Sequence, residues 1–180
     1  MKKFVGPCLT PAILEKVYNW KTDSDFRYEC RHIERIAGCD AMFIAIDDDC
    51  GIKFFMKEST AKMCFWMVRI LKHFNYTPRA WDLRMVAYKG ELIWCFMMER
   101  CTVMTELKKT HGSWKANRIF DRSCEILTYR LRDTLLSDHD WAEENLGITH
   151  DGHIVCIDVG HMSYKFHELD SCASMMKHIW

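Results

Sequence analysis

The chain has 180 residues, with 25 basic and 25 acidic side chains and a formal net charge of +0. A surface balanced in this way gives no electrostatic footprint for nucleic acid, so no nucleic-acid partner is expected. Hydrophobic residues make up 49% and aromatic residues 13% of the chain, which excludes a disordered polymer and suits one domain or two small lobes. No stretch is long and apolar enough to cross a bilayer, so no membrane partner is expected. The start, MKKFVGPCLTP, has two lysines but no apolar region, so no secretory signal is expected and the location is expected to be cytoplasmic. The ten cysteines are scattered, without a CxxC pair. Reduced thiols are therefore expected, and Cys64, Cys95 and Cys156, set in apolar runs, read as small hydrophobes. The nine histidines show no paired ligand spacing for zinc.

In chain order, residues 10–21 predict a helix, with Thr10 as cap, Pro11 at the first helical position, and an apolar face of Ile13, Leu14, Val17 and Trp20. Thr22 to Asp25 reads as a loop. Residues 31–57 read as strands broken at Gly38 and again at Asp47 to Gly51. Lys53 and Lys57 are four apart, so an extended strand would project both from one face. Residues 59–74 predict a helix capped by Ser59 or Thr60, with a buried stripe of Met63, Trp66, Met67, Ile70, Leu71 and Phe74. It contains no acid, since Glu58 precedes it. Asn75 to Pro78 breaks it. Trp81 to Tyr88 and Leu92 to Met98 then form a hairpin about Lys89-Gly90-Glu91.

A short helix is expected over 102–109, a loop at His111 to Ser113, and a longer helix from Ser113 or Asn117 to Leu136. Its stripe is Phe120, Cys124, Leu127, Leu131 and Leu135. The turn His150-Asp151-Gly152 joins two apolar runs into a second hairpin. After Gly160 only twenty residues remain, with room for a short helix near 168–178.

The second hairpin carries the chemistry. Asn145 follows Asp140 by five positions, Asp158 follows Asn145 by thirteen, and Gly160 lies two further on. Antiparallel pairing returns the chain to its start, so Asn145 and Asp158 should meet, with Asp140 on the loop before them. Oxygen-bearing side chains gathered in this way suit a hard divalent cation.

This segment resembles the catalytic loop and metal-binding hairpin of the protein kinase-like superfamily. The resemblance implies an α+β, two-lobed fold: an N-terminal helical extension over 1–30, a small antiparallel-sheet lobe over 31–101 and a reduced helical lobe over 102–180. It implies that Asp140 orients or deprotonates the acceptor hydroxyl and that Asn145 and Asp158 hold Mg2+ against ATP. Cys50-Gly51-Ile52-Lys53 resembles the V-A-I-K strand, which makes Lys53 the phosphate-binding lysine, with Lys57 as second candidate. Gly51 then takes the small position roofing adenine. Ile36 to Phe43 resembles an abbreviated phosphate loop, with Gly38 as its one glycine. In the hinge, Met98 becomes the gatekeeper, the Glu99 carbonyl an acceptor for the base and the Cys101 amide a donor.

The sequence departs from the family in four places. The helix over 59–74 lacks the lysine-pairing glutamate. Asp138 and His139 stand where a histidine and a basic residue are usual, and Ala142 stands where a cation often steadies the γ-phosphate. The C-terminal lobe is cut short, which is similar to minimal kinases of bacteriophages and bacterial effectors. The function implied is phosphoryl transfer to protein Ser/Thr, in a host cytoplasm if the chain is viral. The alternative is a pseudokinase that engages a host or partner protein, with or without nucleotide. Small-molecule phosphotransferases share the hairpin, but the short C-terminal region leaves little room for their substrate pocket.

Overall fold

The structure is a computed structural model that describes residues 3–32, 37, 40–131, 136–137, 142–159 and 163–164. It is a mixed α+β protein with a four-stranded antiparallel sheet plus helices. It comprises two compact units, one of Met1–Lys72 with Pro78–Cys101, the other of His73–Thr77 with Thr102–Trp180.

The first unit opens with helices α1 (Val5–Cys8), α2 (Pro11–Thr22) and α3 (Ser24–His32). The Thr10 hydroxyl accepts the Ile13 N–H at 3.2 Å and caps α2 as its sequence predicts. The expected loop over 22–25 is corrected to a one-residue break. The Asp23 carboxylate accepts the N–H groups of Asp25 and Phe26 at 2.9 and 3.2 Å, and so starts α3 at once. Residues 31 and 32 therefore end a helix rather than begin a strand.

The strands are β1 (Ala41–Ala45), β2 (Cys50–Phe55), β3 (Ala80–Tyr88) and β4 (Glu91–Glu99), in spatial order β1-β2-β4-β3. Lys89 and Gly90 carry φ of 49° and 84° in the two-residue turn between β3 and β4, the geometry that matches strand twist. Asp82, at a bulge in β3 with φ of 57°, accepts the Val5 N–H at 2.7 Å and ties α1 to the sheet.

Alternation along β2 sends Ile52 and Phe54 to one face and Gly51, Lys53 and Phe55 to the other. The first face packs with Met42, Ile93, Cys95 and Met97 against Val17 and Trp20 of α2. On the second, Phe96 stacks with Phe55 and with Phe65 of α4 (Glu58–Lys72), at ring centroid distances of 5.2 and 5.4 Å. Every residue of β2 is buried.

The stripe expected on α4 is also corrected. Ala61, Cys64, Phe65, Val68 and Leu71 face inward, while Met63, Trp66 and Ile70 are roughly half exposed, as is Phe74 beyond the helix end. Both faces of this helix are apolar, so periodicity alone could not say which one meets the sheet. Small Ala61 and Cys64 are among the residues that do. The helix also starts one residue earlier than expected and takes in Glu58, which pairs with Lys62 on its exposed side.

Beyond the first residue of β5 (Cys101–Val103), the second unit contains the rest of that strand, α5 (Met104–His111), α6 (Ser113–Leu131), β6 (Leu136–Ser137), a 3-10 turn (Glu143–Asn145), β7 (Leu146–Thr149), β8 (Ile154–Cys156) and β9 (Ser163–Tyr164). Its sheets run β5-β7-β8 and β6-β9. Gly112, with φ of 81°, is the single residue between α5 and α6. Leu127 and Leu131 of the expected α6 stripe are buried and Phe120 and Cys124 half-buried; Leu135 and the helix expected near 168–178 lie outside the described residues. No helix among the described residues is long and apolar enough to cross a membrane.

His73–Thr77 is stitched into this unit. Cys156 N–H donates to the Tyr76 carbonyl at 2.8 Å, and the Arg130 guanidinium donates to the carbonyls of Asn75 and Ile154 at 2.5 and 2.7 Å. Burial lowers the Arg130 pKa, so its charge is held by these acceptors at a desolvation cost. Arg130→Met should cost about 2 kcal/mol, read as a lower urea midpoint with an unchanged slope. An unchanged midpoint would mean that the guanidinium does not brace the unit.

Candidate functional site

In the first unit the site is built on β2. Lys53, 7% exposed, is the only buried lysine among the described residues. Its ammonium lies 5.8 Å from the Phe55 ring centroid, and it faces Phe96 of β4 and Phe43 of β1 across the ladder. Lys57 is a different matter. It lies past the end of β2 and is exposed, and its carbonyl accepts the Ala61 N–H at the start of α4. The strand stops before the four-residue spacing can place both lysines on one face.

Packing alone gives Gly51 a reason to be small. A Cβ there would lie 2.4 Å from Cζ of Phe43 and 2.5 Å from the Ile44 carbonyl oxygen. The Phe43 ring thus takes the volume that a side chain at 51 would need. Phe43 is half-buried and shares the Lys53 face. It is the residue missed by sequence reasoning, and the glycine two positions before the lysine was the available signal.

At the end of β4, Met98 is buried opposite Gly51. The Glu99 carboxylate is buried too. It accepts the Arg79 N–H at 3.0 Å and the Arg79 guanidinium at 3.2 Å, so the negative charge is matched. The Glu99 N–H donates to the Arg79 carbonyl at 2.9 Å, and Arg100 N–H to the Asp49 carbonyl at 2.9 Å. This fixes the backbone on which the hinge was placed. The Cys101 thiol approaches the Glu99 carbonyl oxygen at 3.8 Å, and burial, then the charge of Glu99, pushes that thiol up to about 12.

In the second unit, Asn145 ends the 3-10 turn, its N–H bonded to the Ala142 carbonyl at 2.9 Å. Its own carbonyl accepts the Ile157 N–H at 2.8 Å, one rung beyond the Leu146–Cys156 pair. Asp158 is the next residue, and its carbonyl accepts the Cys156 thiol at 3.1 Å. Asn145 and Ile157, the residue before Asp158, therefore share a rung at the open end of the hairpin, and the turn at the far end is closed by Thr149, His153 and Gly152, whose φ is 80°. An ion pair between Glu143 and Lys108 of α5 anchors the 3-10 turn. An Asn amide and an Asp carboxylate are oxygen donors of the kind that suits two positions around Mg2+, which keeps other positions for water and phosphate. Among the described residues no group of three or more His, Cys, Asp or Glu is placed to hold a metal. Asp140 and Gly38 lie outside the described residues. Lys53 belongs to the first unit and the hairpin pair to the second.

No protein-family model matches the chain, and no curated protein matches it. Among solved structures, a crystal structure of WbdD aligns with a TM-score of 0.39 at 15% identity, covering 70% of this chain and 31% of that one. The chain thus spans about a third of the length of that protein. A likeness so slight says nothing about activity.

Two measurements check the local geometry. Gly51→Ala should destabilise the protein by about 1–3 kcal/mol, because a backbone oxygen as well as a ring must yield; an unshifted melting temperature would contradict the Phe43 contact. The eight described cysteines form no disulfide among the described residues. Burial pushes the Cys95 thiol, like that of Cys101, up to about 12. Alkylation of the native protein at about pH 8 should modify half-exposed Cys8 well before these two. Equal rates would show that β4 and its end are open to solvent.

Proposed function

We propose that this chain is a minimal protein kinase-like phosphotransferase that moves the γ-phosphoryl group of ATP to a protein Ser/Thr hydroxyl. The observation that carries this is the Ile157 N–H to Asn145 carbonyl bond, which brings the chain next to Asp158 back to Asn145. The pairing of β6 with β9 supports it. Ser137, three before Asp140, pairs with Ser163, five after Asp158, so the segments flanking both acids are drawn together.

Asp140 orients the acceptor hydroxyl and takes its proton as the oxygen bonds to phosphorus. The bond from the γ-phosphorus to its bridging oxygen breaks, and ADP leaves with that electron pair. Asn145 and Asp158 hold Mg2+, which when bound neutralises charge on the phosphate oxygens. Lys53 binds the α/β-phosphates, and a base stacks on the accessible part of the Phe43 ring while the Glu99 carbonyl and Cys101 amide read its edge. A reducing cytoplasm, the host's for a viral chain, suits eight described cysteines that form no disulfide among the described residues.

A second reading is favoured by Glu58 and Ala142. The one acid of α4 pairs with Lys62, and alanine offers the γ-phosphate no charge. On that reading the chain is a pseudokinase that binds a partner protein.

Labelled-phosphate transfer and thermal shift separate the two. Wild type should be stabilised by ATP with Mg2+ and should transfer label; Asp158→Ala should lose transfer by about 100-fold or more. Transfer undiminished in Asp158→Ala overturns the metal role. A thermal shift without transfer favours the pseudokinase, and no shift points to a nucleotide-free scaffold.

A further inference from the structure

The inward side of α6 is spent on packing through Ala116, Ser123, Leu127 and Leu131. Another side is not. Trp114, Lys115, Arg118, Ile119 and Arg122 of α6, with Ile154 of β8, line an open depression of about 680 Å³. Residues 115, 118, 119 and 122 share one helical face, and 114 stands one turn below 118. From Lys115 to Arg122 the helix rises about 10 Å, the reach of three extended residues.

The lining is chemically biased. Three of its six residues are cationic and none is acidic. Lys115 has no ion-pair partner among the described residues. Arg122 pairs with Glu125 within the same helix, but both side chains are well exposed, and such a pair exchanges at little cost. The Arg118 guanidinium lies 5.0 Å from the Trp114 ring centroid. Stacking there holds the guanidinium plane while its edge stays available to a carboxylate. Trp114 itself is 73% exposed, so the core gains little from it. Tryptophan and arginine together are the residues on which protein recognition most often turns.

We propose that this depression docks an extended, acidic segment of a partner protein. Its carboxylates meet Lys115, Arg118 and Arg122, and an apolar side chain between them rests on Trp114, Ile119 and Ile154. Protein fits better than nucleic acid. Half the lining is apolar or aromatic, the cations span only about 10 Å, and the chain as a whole carries a formal charge of +0. The surface stands on α6 and β8 and does not depend on phosphoryl transfer.

The test is fluorescence anisotropy with the full chain and a fluorescein-labelled peptide of about eight residues in which glutamate alternates with leucine. The expected result is saturable binding that weakens about tenfold or more in Arg118→Glu and in Trp114→Ala, and weakens as salt rises from about 50 to about 500 mM. Both side chains are exposed, so the urea midpoints of the variants should match wild type. Asp158→Ala should bind as wild type does, whether or not it transfers phosphate. Absence of saturable binding, equal binding by Arg118→Glu, or tighter binding of a single-stranded oligonucleotide than of the peptide would each overturn the proposal.

Discussion

The first unit depends on a strand that is covered on both sides. β2 is six residues long and buried along its whole length. In most half-solvated antiparallel sheets one face is polar. Here the N-terminal helices cover one face and α4 contributes Phe65 to the other, so the strand tolerates few polar side chains. Lys53 is the exception. Its ammonium lies 5.8 Å from the Phe55 ring centroid, on the face that also carries Phe43.

The same crowding explains Gly51 and Phe43 together. A ring over the strand needs a neighbour without a side chain, and Gly51 supplies it. Glu99 follows a similar logic at the strand's far end. A buried carboxylate needs matched donors, and Arg79 gives it both backbone and guanidinium N–H groups. These contacts fix the chain just before Cys101.

What the sequence made legible follows the range of the interactions. Thr10 with Pro11, Lys89 with Gly90, and Asp151 with Gly152 are local signals, and each marks a helix start or a turn in the structure. The return of the chain to Asn145 at Ile157 was legible because one hairpin register determines it. The burial side of α4 was not, because Met63 and Trp66 are as apolar as Cys64 and Phe65, and only tertiary packing distinguishes them. Asp23 was misread because the residue types that end a helix also begin one. The Phe43–Gly51 contact joins two strands across a turn and has no local trace beyond the glycine.

The second unit shows how a short chain can hold a hairpin at a set place without a large core. The hairpin's own sheet has three strands, two of them only three residues long. A sheet of that size is marginal alone. Its rigidity comes instead from backbone carbonyls that would otherwise need water. Arg130 collects those of Asn75 and Ile154, and Cys156 donates to that of Tyr76, a fully buried residue. One guanidinium on α6 therefore links that helix, the 73–77 segment and β8. Asn145 and Asp158 sit one step beyond this clamp, where a shift of β8 by one residue would reverse the face of every side chain on it. Such a clamp guards register as much as stability, since the rungs of β7 on β8 last only while both strands hold their places.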